Sequence, residues 1–115
     1  MSISLPSKLL VAAASLLLAS QAFSYQTLSN KTIERLYTYD NGVLIQFSPL
    51  TATSEGCTHG SANQFAFLDT TVAGGKTLLA SVLSAHISNK AISIGVHNCL
   101  TWGPGTLPKA YRVDF

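Results

Sequence analysis

The hydrophobic positions of the chain follow three patterns, and each pattern predicts a different kind of segment. Residues 9–18 are apolar except for Ser15, several short stretches beyond residue 30 alternate apolar with polar positions, and residues 72–88 carry apolar positions at spacings of three and four. The first pattern is typical of an export leader, the second indicates half-buried β-strands, and the third indicates an amphipathic helix.

The alternating stretches predict five short strands. The first two flank Asp40–Asn41–Gly42, a sequence typical of a tight hairpin because Asn and Gly tolerate the positive φ angles of a primed turn. The predicted strands cover residues 32–39, 43–48, 64–68, 91–97 and 109–115. Residues 25–31 are then a polar lead-in, and residues 50–63 and 99–108 are loops.

One helix is predicted between the third and fourth strands. Its apolar stripe consists of Leu78, Leu79, Val82, Leu83 and His86. Asp69, Thr70 and Thr71 offer side chains that could cap its start, and Asn89 suits a left-handed end. Strand, strand, strand, helix, strand, strand is the order of an OB-type barrel, which closes a small sheet by curling it.

The predicted fold class is therefore β-rich (α+β). It is a small five-stranded OB-like barrel or curled antiparallel sheet with one helix between the third and fourth strands. An open sheet with the helix on one face is the competing architecture.

Residues 1–24 have the features of a cleavable export signal. The apolar run follows Lys8 and precedes small residues, so cleavage after Ser24 or Ala22 fits the requirement for small side chains at the peptidase site. The run is too short to span a bilayer, which takes about 20 residues, and no later stretch approaches that length. We expect residues 25–115 to form a single secreted or periplasmic domain with no membrane span.

The chain has two cysteines, Cys57 and Cys99, and both lie in the predicted mature domain. An even number in an exported chain favours one disulfide with a single possible connectivity. The bridge would close a loop of about 42 residues, for which the chain-entropy relation gives about 4 kcal/mol. The alternative is a pair of free thiols or metal ligands, although the C-x-x-C spacing of a zinc site is missing.

Composition narrows the function classes. Charged residues make up 10 % of the chain, with seven Lys and Arg against five Asp and Glu, whereas roughly 25 % is usual in soluble domains. Unclustered basic residues argue against a nucleic-acid binder. The scattered acids and the lack of a Gly-x-Ser-x-Gly elbow argue against an enzyme, so we expect no catalytic residues and no cofactor.

The best candidate ligand-binding residues are Trp102, Asn98 and His97. An indole ring can cover the apolar face of a sugar while an amide and an imidazole hydrogen-bond its hydroxyls. The alternative is that Trp102 folds back and seals one end of the core.

A metal site is a weaker alternative. His59 and His97 each lie two residues from a cysteine, and bridged cysteines have Cα atoms about 5–6 Å apart. The two imidazoles could then approach each other, with Glu55 as a third ligand. Surface histidines beside a disulfide are the simpler interpretation.

Residues 32–115 also carry an ordered set of motifs. They are RLYTYDNGVLIQF (35–47), Cys57, FAFLD (65–69), GKTLLASVLSA (75–85), SNKAISIGV (88–96), Cys99 and a final aromatic strand. In this order they resemble the receptor-binding B subunits of bacterial one-A, five-B toxins. The resemblance implies an OB-type fold, a Cys57–Cys99 bridge, pentameric rings with helices along a central channel, and glycan binding. Sugar-contacting residues differ among toxin subunits, so none is carried over.

The expected function is that of a secreted, non-enzymatic binding module for a glycan or a protein partner, and the resemblance implies a homo-oligomer. One alternative is a small secreted metal-binding protein or enzyme that uses His59, His97 and Glu55. Another is a secreted inhibitor or structural factor that presents residues 50–63 to a partner.

Overall fold

Five strands and one helix make up residues 25–52 and 56–115, the part of the chain that the computed structural model describes. The elements are β1 (Gln26–Tyr39), β2 (Gly42–Ser48), β3 (Phe65–Asp69), α1 (Gly75–Ile87), β4 (Ile92–Trp102) and β5 (Gly105–Asp114). The predicted export signal and Glu55 lie outside these residues. No helix within them is long and apolar enough to cross a bilayer.

The strands form a closed ring in the order β1-β2-β3-β5-β4. All neighbours are antiparallel except β3 and β5, which are parallel and share the single register pair Phe67–Lys109. The ring is therefore uneven, with its thinnest ladder between β3 and β5. The predicted five-stranded OB-like fold with a helix between the third and fourth strands is confirmed.

Three strands, β1, β4 and β5, are each several residues longer than the alternation predicts. β1 begins at Gln26 because Leu28, only 1 % exposed, points into the core from a stretch that otherwise consists of polar residues. The predicted 99–108 loop is mostly strand: Trp102 pairs with Gly105, and only Gly103 and Pro104 form the turn. Gly and Pro residues thus mark a tight turn and an irregular ladder here rather than a long loop.

The predicted hairpin between β1 and β2 is confirmed, but the predicted reason for its sequence is wrong. Tyr39 pairs with Gly42, and neither Asp40 nor Asn41 takes a positive φ. Gly42 is required by packing, since a Cβ atom there would lie 2.5 Å from the ring Cζ of Phe67.

The helix begins three residues later than predicted. Its N-cap is Gly74 at φ 82°, without a side-chain cap, and Asn89 follows its end at φ 53°. Gly75 packs tightly on the backbone of Asp69 and Thr70, so the helix starts directly against the end of β3.

The buried face of α1 differs from the predicted stripe. Val82 and Ala85 are buried in the barrel, whereas Leu83 is 42 % exposed. Nδ1 of His86 lies 3.2 Å from the carbonyl oxygen of Ile33, so this histidine ties α1 to β1 at the edge of the core.

The core has two layers. The barrel interior is formed by side chains from all five strands and α1, namely Leu28, Ile33, Val43, Ile45, Phe47, Ala66, Leu68, Val82, Ala85, Ile92, Ile94, Val96 and Ala110. An outer cluster packs on the other face of the sheet and consists of Leu44, Ala62, Phe67 and Leu107 with the partly buried Tyr37, Cys57, Phe65, Leu100 and Trp102. Both faces of β3 are therefore covered.

The predicted disulfide is confirmed. Cys57 and Cys99 are joined with an S–S distance of 2.02 Å and a Cα–Cα distance of 5.7 Å. The bridge ties the segment before β3 to β4, and Cys57 is itself part of the outer cluster.

A buried lysine fixes the chain after β2. Lys31, 3 % exposed, donates hydrogen bonds to the carbonyl oxygen of Pro49, at 2.6 Å, and to the hydroxyl of Thr51. Its ammonium lies 5.6 Å from the ring centre of Phe47. Burial lowers the pKa of this ammonium group, because the charged form loses hydration.

Candidate functional site

A cavity of about 240 Å³ opens where the end of β3, the turn before α1, and the middle of β4 and β5 meet. It lies beside the thin β3–β5 ladder, and both apolar and polar side chains line it. The lining residues are Leu68, Asp69, Val72, Ala73, Leu78, His97, Asn98, Lys109, Ala110 and Tyr111. A cavity with a few convergent polar groups is the default candidate for a binding site.

Asp69, the last residue of β3, holds a fixed carboxylate at this cavity. Its Oδ1 atom accepts hydrogen bonds from the Thr71 hydroxyl at 2.5 Å and from the Thr71 backbone N–H at 2.8 Å. These bonds, the hydroxyl first, and the nearby charge of Lys109 lower the pKa of the Asp69 carboxyl. Because Thr71 engages Oδ1, the second oxygen is the one available to a ligand.

Lys109 and Asn98 supply hydrogen-bond donors on the same cavity. Lys109 is exposed, and it forms no ion pair or hydrogen bond with any described residue, although its charge acts on Asp69. Asn98 has a φ of 63° and lies where the β4–β5 register shifts between Val96 and Cys99. Such bulges redirect side chains, and Asn tolerates the left-handed backbone better than most residues.

Aromatic rings form one wall of the site. The imidazole of His97 stacks on the ring of Tyr25, with ring centres 3.7 Å apart and planes 17° apart. Tyr25 meets the ring of Tyr111 edge-on at 5.0 Å. Tyr111 is 39 % exposed and lines the cavity, so it offers a sugar-sized apolar face beside the polar groups.

The structure separates Trp102 from the other two predicted ligand-binding residues. Trp102 does not line the cavity. Its ring centre lies 5.2 Å from that of Tyr39 and 5.4 Å from that of Phe67. We call Tyr37, Tyr39 and Trp102 the aromatic surface. Tyr37 and Trp102 also pack against the buried residues of the outer cluster, and the Arg35 guanidinium lies over the Tyr37 ring.

His59 and His97, the two predicted metal ligands that the structure describes, line different cavities. His59 lines a second cavity beside Cys57, where its Nδ1 atom accepts the backbone N–H of Ser61 at 3.0 Å. His97 lines the first cavity, and Glu55 lies outside the described residues. Within residues 25–52 and 56–115 no group of three His, Cys, Asp or Glu side chains has metal-site geometry.

Three charged or aromatic residues of the cavity were not predicted as site residues from the sequence: Asp69, Lys109 and Tyr111. Asp69 and Thr71 were interpreted as helix caps, whereas their spacing is that of a side chain that bonds the backbone two residues on. That local signal could have pointed to a fixed carboxylate. Lys109 and Tyr111 have no such signal, because only the parallel pairing of β3 with β5 brings them to Asp69.

No protein-family model, curated protein or solved structure matches this chain.

Proposed function

We propose that the protein is a secreted, non-enzymatic carbohydrate-binding module whose cavity beside α1 holds one sugar residue. The observation that carries this proposal is the Asp69 carboxylate, held in place through one oxygen by Thr71 and facing the same cavity as Asn98 and Tyr111. Sugar hydroxyls would donate to the free carboxylate oxygen and accept from the amide, while an apolar sugar face covers the phenol ring.

The size of the cavity supports a small ligand. Pockets for drug-sized molecules measure about 300–1,000 Å³, and this one, at about 240 Å³, is smaller. A single terminal sugar with the rest of its glycan in solvent fits that scale. A preformed group also costs little to order on binding, and the Asp69 carboxylate is already held by Thr71.

Binding rather than catalysis is supported by the engagement of the reactive side chains. Both cysteines form the disulfide, so neither is available as a nucleophile. His59 and His86 each bond a backbone group. Secretion or periplasmic location is supported by the apolar run at 9–18 and by the disulfide, which persists in oxidising compartments.

A homo-oligomer is proposed with α1 at the contact between copies, as the resemblance to pentameric toxin subunits implies. Leu83 and Ile87 are one helical turn apart and are 42 % and 83 % exposed. Light scattering of the exported protein in solution measures the mass directly. A monomer at micromolar concentration would contradict the oligomer and leave the sugar site untouched.

The sugar site is tested by screening the exported protein on a glycan array and then titrating the best glycan into variants. We expect Asp69→Asn to weaken binding at least about tenfold, since a charged acceptor is lost. Asp114→Asn is the matched control, because Asp114 pairs with Arg112 and does not line the cavity. Array data without a single bound glycan, or equal affinities for Asp69→Asn and the unsubstituted protein, would contradict the proposal.

A further inference from the structure

We infer that the sugar bound here carries a carboxylate, as uronic acids do, and that Lys109 is the residue that selects it. This inference rests on the proposed function of the cavity and goes beyond it, because hydroxyl recognition alone does not distinguish acidic from neutral sugars.

The two charged groups of the cavity differ in the hydrogen bonds that they form within the protein. Asp69 already accepts two hydrogen bonds from Thr71. Lys109 has no hydrogen bond or ion pair to any described residue, and the lining side chain of Asn98 is uncharged. The Lys109 ammonium acts on Asp69 only through its charge, so its N–H donors can bind a ligand carboxylate.

The sheet geometry leaves room for a ligand between the charges. Lys109 pairs with Phe67 on the neighbouring strand, and Asp69 is two residues beyond Phe67 on that strand. Residues two apart on a strand share a face, so Asp69 and Lys109 lie on the same side of the sheet. From strand spacing and rise their Cα atoms are about 8 Å apart. The absence of a direct ion pair between the two side chains agrees with this separation.

One orientation satisfies both groups. The ligand carboxylate lies at Lys109, away from the like charge of Asp69, and a hydroxyl on the opposite side of the ring donates to the free Asp69 oxygen. The ring face then lies against Tyr111, which is 39 % exposed.

The experiment compares three methyl glycosides that differ only at one group: galacturonic acid, its uncharged methyl ester, and galactose. The glucose series is run in parallel, and affinities are measured by chemical-shift titration of the exported protein at pH 8, where imidazole as a class is neutral. We expect the protein to bind the uronate about three- to fivefold more tightly than its ester, which is the effect of a solvent-exposed ion pair. This difference in affinity should disappear at about 0.5 M salt, because salt screens the ion pair.

Lys109→Gln should abolish this preference, so that the uronate and its ester bind with equal affinity. Lys90→Gln is the matched control, since Lys90 is exposed beside Phe115 and outside the cavity, and it should keep the preference. Equal affinity of the unsubstituted protein for uronate and ester, or a preference that survives Lys109→Gln, would overturn the inference while sugar binding stands. If none of the sugars bind, the proposed function fails, and this inference with it.

Discussion

The cavity beside α1 and the aromatic surface both take residues from β4, yet their side chains are used differently. At the aromatic surface, the half-buried Trp102 ring packs against the Tyr39 ring and against the Phe67 ring of the outer cluster. In the cavity, Thr71 holds one oxygen of Asp69, whereas the N–H donors of Lys109 form no hydrogen bond with any described residue. Aromatic rings that pack against one another stabilise a fold, whereas polar groups that are held in place and can still form hydrogen bonds indicate a ligand-binding site.

The largest expected effect concerns the disulfide, which holds the segment under the aromatic surface. Replacing both Cys57 and Cys99 with Ser should lower the free energy of unfolding by about 4 kcal/mol, because the unfolded chain regains the freedom of a 42-residue loop. Denaturant titration measures this change. A loss below about 1 kcal/mol would mean that the outer cluster holds this segment without the bridge.

Trp102→Ala should lower the free energy of unfolding by about 2 kcal/mol, less than for a fully buried Trp because this side chain is only half-buried. Sugar affinity should not change, since Trp102 does not line the cavity. Trp102→Phe, which keeps a ring against Tyr39, is the control and should recover most of the stability. If instead affinity disappears while stability holds, the aromatic surface is the binding site.

A smaller effect is expected from the titration of Asp69. The folded-state pKa of its carboxyl lies below the unfolded value of about 3.9. Its stabilising contribution is therefore complete above the unfolded pKa and is lost as pH falls through the folded pKa. Melting temperatures of the unsubstituted protein and Asp69→Asn should differ near pH 6 and converge as the pH falls below the unfolded pKa and through the folded one.

Thr71→Val provides the control for this pH dependence, because it removes the hydroxyl that contributes most to the shift. It should reduce the acid-dependent loss of stability without removing the charge. Identical pH profiles for the unsubstituted protein and Asp69→Asn would show that the carboxylate is not held as described.

Alternation and helical spacing predicted the elements of this fold because each pattern is local. The hairpin at Asp40–Asn41 and the helix between the third and fourth strands followed from a few adjacent residues. The start of β1 was missed because Leu28 is the lone apolar inward residue in a polar stretch. Residues 99–108 were missed because Gly103 and Pro104 resemble a loop while forming only a two-residue turn.

The candidate site was predictable only in part. His97 and Asn98 were predicted as hydrogen-bonding neighbours of Trp102, and both line the cavity, whereas Trp102 does not. Asp69, Lys109 and Tyr111 come from strands far apart in sequence and meet through the parallel β3–β5 contact. No local pattern encodes such a contact, so only the closed ring reveals the site.

The most direct test of the sugar-binding cavity is a backbone amide chemical-shift titration of the exported protein with the best glycan from the array. Trp102 is the only tryptophan, so its fluorescence reports separately on the aromatic surface. The account predicts shifts concentrated at Asp69, Asn98, Lys109 and Tyr111, with unchanged tryptophan emission. Shifts concentrated at Tyr37, Tyr39 and Trp102, with a change in that emission, would contradict it.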